Sequence, residues 1–225
     1  MLHKLFVGFR PFLIIKACHA RQETFLGLHE WMHIPFSIFE PSPMQGLLSR
    51  IAIVPSLLQQ VDQLLGSPSQ SDTNAWDIFN AFTNTLSNLQ YWEEGLRRES
   101  GSAYYEQLPA SSSGEGNITT WFLNVTMANV YTHLWAFQIV CLLELERLEA
   151  VLSHVSPSPT FSDRVQFRYD QEKVLKISSL ICSSMDYLIQ NEMGLFGPAS
   201  TFFPLHGIPG VCDGQIYPRG RHCAY

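Results

Sequence analysis

His29-Glu30-Trp31-Met32-His33 spells H-E-x-x-H. In that pattern two imidazoles four residues apart on a helix ligate zinc, and the glutamate beside the first polarises the attacking water. Chance supplies it only about 0.016 times in a chain of this composition. Its surroundings argue against a zinc centre. Pro35 follows two residues after His33 and biases Ile34 away from the helix on which the pattern depends. No Gly-x-x-His comes after His33, and the chain up to residue 92 offers only Glu40, Asp62, Asp72 and Asp77 as a third ligand. Zinc-dependent peptide hydrolysis by His29, Glu30 and His33 therefore stands as the alternative. The expected reading makes these histidines incidental residues near a helix end.

A second set, His206, Cys212, His222 and Cys223, lies in a Gly- and Pro-rich stretch. Its spacings match no zinc pairing, because adjacent His222 and Cys223 cannot easily face one ion from a short loop. Five cysteines, Cys18, Cys141, Cys182, Cys212 and Cys223, include no close pair, so neither a disulfide framework nor a C-x-x-C site is written here. Nucleophile elbow, phosphate-cradling loop and dinucleotide fingerprint are all missing from the sequence. The expectation is a non-enzyme without a catalytic, cofactor, metal or DNA-binding residue set. Two sequons, Asn117-Ile-Thr119 and Asn124-Val-Thr126, read as accidental, the second lying inside an expected helix.

The elements around these residues are helical by period. Residues 44–65 repeat Leu, Ile and Val at three- and four-residue intervals, with Pro55 expected to kink or split the helix. A second helix starts at a cap, Asp72 or Thr73, runs through Trp76, Phe79, Phe82, Leu86, Leu89, Trp92 and Leu96, and ends near Arg97-Arg98, where cations suit the helix dipole. Residues 118–154 form a long pattern, apolar nearly all round from Val130 to Leu143, which places it at the centre of the core. A fourth helix is expected over 163–192, stopped by Gly194, with Phe202 and Phe203 packing on the core beyond it. No alternating strand pattern competes. The fold class is all-α, a multi-helix domain packed around the 118–154 element. The chain divides into an N-terminal segment (1–43), a helical domain (44–205) and an irregular tail (206–225).

Charge bounds the partners. Among 225 residues, 46% are hydrophobic and only 15% charged, and 14 Lys and Arg against 20 Asp and Glu leave a net charge of −6. Such a chain lacks the basic surface that neutralising phosphates demands, so direct nucleic-acid binding is not expected. Arg10 and Pro11 split the opening apolar stretch into pieces too short for a signal peptide, and the chain is not expected to be secreted. The most apolar window, Trp135 to Leu143, is about half of the roughly 18 residues a membrane span needs, so no membrane association is expected.

Several weak patterns recur in order. Arg10-Pro11-Phe, Arg21, Thr24-Phe25-Leu26, Glu30-Trp31 and Ile34-Pro35-Phe36 are followed by Ser42-Pro43-Met44-Gln45 and Pro55-Ser-Leu-Leu. Much later come Ser178-Ser-Leu-Ile-Cys182, Gly194-Leu-Phe-Gly197-Pro198 and Phe202-Phe-Pro204-Leu205. Over about residues 9–205 this order resembles the C-terminal regulatory region of fungal transcription factors that carry a six-cysteine binuclear zinc cluster. The resemblance implies an all-α domain that modulates transcription in the nucleus through protein partners, either a second copy of the chain or coregulators. It assigns structural roles to Arg10, Pro11, Arg21, Thr24, Phe25, Leu26, Trp31, Pro35, Gly194, Gly197, Pro198 and Pro204. It also makes His29 and His33 part of a variable spacer. The family's DNA-binding cysteine cluster has no counterpart here, so zinc and DNA reading are not carried over. With the departure beyond Leu205, this implies a partial family member, or a fragment with little activity of its own.

Overall fold

The computed structural model describes residues 2–66, 72–100, 104–109, 118–155 and 171–206. The chain runs through α1 (Leu2–Ala20), the single turn α2 (His29–His33), α3 (Pro43–Ile51), α4 (Val54–Gly66) and α5 (Asp72–Ser100). A hairpin follows, β1 (Tyr105–Pro109) and β2 (Ile118–Phe122), then α6 (Val125–Val155), α7 (Gln171–Ser183), the short α8 (Met185–Leu188) and α9 (Phe196–His206). Three-residue 3-10 turns sit at Phe25–Gly27, Ile34–Phe36 and Asn191–Met193.

The architecture is all-α, built around α6. Val130, Tyr131, Leu134, Ala136, Phe137, Ile139 and Cys141 are fully enclosed, as expected of a helix apolar on every side. It is surrounded by α3, α4, α5, α7 and α9, while α1 crosses α3 and α4. Over Val125–Leu152 this helix is long and apolar enough to cross a membrane by length and composition. Its most apolar window is 78% buried inside the fold.

Local chemistry sets the element ends. Ser42 caps α3, its Oγ accepting the Gln45 N–H, and Pro43 occupies the first turn, where no N–H is required. The 44–65 helix is split before Pro55, so that the proline falls in the first turn of α4, where its missing donor costs nothing. Asn124 lies just before α6, not inside a helix, and its Oδ1 accepts the Met127 N–H at 2.9 Å.

Two expected helices are interrupted. Residues 118–122 are strand, paired antiparallel with β1 in the register Tyr105↔Phe122 to Pro109↔Ile118. The alternation in Ile118-Thr-Thr-Trp-Phe is masked because both threonines are buried, where Thr120 Oγ1 and Ser183 Oγ lie 2.6 Å apart and Thr119 Oγ1 donates to Asp186. Over the described part of 163–192, α7 ends at Ser183, and Ser184, whose Oγ donates back to the Leu180 carbonyl, leads into α8. Residues 163–170 of that expected helix, and 207–225 of the expected tail with Cys212, His222 and Cys223, lie outside the described residues.

Candidate functional site

The H-E-x-x-H residues do form a helical turn. Leu28 precedes α2 in an extended conformation, and the imidazoles of His29 and His33 lie on one side with ring centroids 4.2 Å apart. The expected break at Ile34 does not occur. Its backbone is helical (φ −59°, ψ −44°) and its N–H donates to the Glu30 carbonyl. Pro35 enters the first positions of the 3-10 turn Ile34–Phe36, which needs no N–H from it, so the turn outweighs the bias on the preceding residue. His29, Glu30 and His33 are exposed, and among the described residues no group of three His, Cys, Asp or Glu side chains is placed to hold a metal ion. Among the described residues the geometry offers two imidazoles and a carboxylate to solvent, with no third ligand placed beside them.

The family-like residues of the first segment lie where α1 meets the helices behind it. Arg10 is fully buried; its guanidinium donates to the Gln45 carbonyl (3.2 Å), Gln45 Oε1 (3.1 Å) and Ser49 Oγ (3.0 Å), and lies over the Phe6 and Phe36 rings. Burial pushes its pKa down to about 10, so it remains charged at neutral pH, held by dipoles and ring faces. Pro11 lies within α1, one residue past Arg10. Arg21 ends the helix with positive φ (50°) and reaches α4 and α6 together, its Nε 2.7 Å from Asp62 and its terminal nitrogens 2.8 and 3.1 Å from Glu144. Burial opposes its charge, but hydrogen bonds and the charges of Glu144 and Asp62 prevail and raise its pKa above the ordinary value. Glu144 is also held by Arg147.

Thr24 caps the turn Phe25–Gly27 through its side chain, Leu26 is enclosed in the core, and the half-exposed Phe25 meets Trp31 edge-on at 4.9 Å. Trp31 in turn tilts against Phe6 of α1. These residues brace one another.

The second family-like cluster shapes the approach to α9. Gly194 has φ +56° and ψ −144°, a conformation that glycine alone adopts readily; it follows the turn Asn191–Met193, not a long helix. At Gly197 the demand is space. A Cβ there would overlap the Leu188 carbonyl oxygen and lie 2.6 Å from the Met193 Cβ. Gly197 and Pro198 belong to the first turn of α9, and Pro204 lies within that helix. Phe203 enters the core against Phe137 at 4.6 Å. Phe202, expected in the core as well, stays outside it at 65% exposed, since neighbouring positions on a helix point about 100° apart.

The sequence reading missed the outer face of α1. Leu2, Leu5, Phe9, Phe12 and Leu13 repeat at helical spacing and are 41–82% exposed, whereas Arg10, Ile14 and Cys18 face the core from the opposite side. The signal was in the three- and four-residue spacing. Arg10-Pro11 obscures it by cutting the same stretch into two short apolar pieces that resemble a broken leader more than a helix face. No family model, curated protein or solved structure matches the chain.

Proposed function

We propose that this chain is a regulatory helical module of the kind found in fungal zinc-cluster transcription factors, acting in the nucleus through protein contacts and carrying no DNA reader of its own. The observation that carries this reading is the outer face of α1, an apolar stripe of Leu2, Leu5, Phe9, Phe12 and Leu13 presented to solvent by a helix whose other face is anchored. Contiguous exposed apolar surface of this kind marks protein-association sites. The resemblance at Arg10-Pro11, Thr24-Phe25-Leu26 and Gly197-Pro198 supplies the transcriptional setting, and the net charge of −6 supports contact with proteins over contact with phosphates. A mobility-shift titration of the purified chain against duplex DNA at low salt tests it. No shift is expected; tight, salt-sensitive binding would overturn the reading.

The second reading, zinc peptidase chemistry, is favoured only by the approach of His29 and His33. It would need a third ligand from a partner or from residues outside those described.

A further inference from the structure

Between α1 and α9, over α6, lies a cavity of about 720 Å³, within the size range of small-molecule sites. One wall is Gly8, Phe12 and Ile15, the other Phe196, Ala199 and Phe202. Its lining includes two deeply buried polar residues, His133 and Ser200, each 6% exposed, and the half-buried Asn129, whose side-chain Oδ1 is enclosed without a hydrogen-bond partner among the described residues. The ring's chemistry is fixed by its surroundings. Nδ1 lies 2.8 Å from the Asn129 carbonyl oxygen, which can only accept, so Nδ1 carries the proton and Nε2 carries the lone pair. Burial drives the pKa of this imidazole down to about 4, which keeps it neutral at physiological pH. Among the described residues no donor is bonded to Nε2. Ser200, the other buried polar residue of the lining, already donates its hydroxyl to the Phe196 carbonyl. The charged groups facing the cavity are Lys16 and the titratable His19, both exposed on α1.

A largely apolar cavity whose polar lining offers acceptors, His133 Nε2 and Asn129 Oδ1, selects a ligand class. We infer that this cavity binds a neutral, largely apolar small molecule whose single hydroxyl or N–H group donates a hydrogen bond to His133 Nε2. Apolar walls supply affinity without direction, and an acceptor in the wall distinguishes a donor-bearing molecule from its donor-free twin. The inference does not rest on the regulatory reading, since it needs neither a partner nor a nuclear setting.

The test uses the whole chain at pH 7 with 4-octylphenol and its methyl ether, which differ at the one oxygen that can donate. Calorimetric titration should show saturable binding of one phenol per chain, with the ether at least tenfold weaker. Ala199→Trp, on the exposed side of α9, should fill the cavity and abolish phenol binding, while His133→Phe should bind phenol and ether equally. Should His133→Phe fail to fold, the wild-type phenol-to-ether ratio and Ala199→Trp still decide. Absent or non-saturable phenol binding, equal binding of the two molecules by the wild-type chain, or phenol binding unaffected by Ala199→Trp would each overturn the inference.

Discussion

His133 and the pair His29–His33 show how differently one residue type behaves according to its surroundings. His133 is enclosed, with its pKa lowered from 6.5 to about 4 first by burial and against the opposing effect of its bond to the Asn129 carbonyl. The unfolded chain therefore takes up a proton at this residue between those values and the folded chain does not. Stability should fall as pH drops from about 6.5 toward 4, by up to about 1.4 kcal/mol per pH unit from this group, and should lose nothing from it above about 7. Urea melts across that range check the slope, and His133→Phe should remove this component. His29 and His33, exposed on a single turn, should each cost well under about 1 kcal/mol when replaced by Ala. Chain purified without chelators should carry no tightly held zinc; one zinc per chain, lost in His33→Ala, would revive the peptidase reading. Of these three residues the sequence singled out only the exposed pair, because H-E-x-x-H is a local pattern. His133 was hidden inside an apolar run, since the cavity it lines arises from α1 and α9, more than a hundred residues and about seventy residues away respectively.

Among the elements, the long periodic helices were legible and the interruptions were not. Residues 44–65 and the segment beginning at Asp72 carry both an apolar stripe and a terminal signal, so pattern and punctuation agree. The β1–β2 hairpin escaped because its inward threonines bond to Ser183 and Asp186, partners supplied by α7 and α8 and invisible to local periodicity. For the same reason the helix expected up to residue 192 could not be seen to end at Ser183. The turn into α9 was legible as glycine chemistry, though the two glycines serve different needs. Gly194→Val should cost on the order of 1–2 kcal/mol through backbone strain, having open space around it. Gly197→Ala should cost more, because the added methyl meets the Leu188 backbone, which can move only by displacing α8 from α9. Thermal melts of the two variants rank them, and equal midpoints would refute this division of roles.

At the scale of the whole molecule, the fold has a core centred on α6 and an apolar outer face on α1. Burying the Arg10 guanidinium without a carboxylate among its hydrogen-bond partners fixes α1 against Gln45 and Ser49, so the outer stripe is held in place and not left to collapse inward. That arrangement motivates the central claim, that the chain works by presenting this face to a protein. The most direct measurement is reporter output in a fungal cell with the chain fused to an unrelated DNA-binding domain, comparing wild type with Leu5→Glu/Phe9→Glu. Both substituted residues are exposed and outside the cavity lining, so helix content and melting midpoint should be unchanged. The wild-type fusion should change output at least severalfold relative to the DNA-binding domain alone, and the double variant should return it to that baseline. A wild-type fusion without effect, or a folded double variant as active as wild type, would contradict the account.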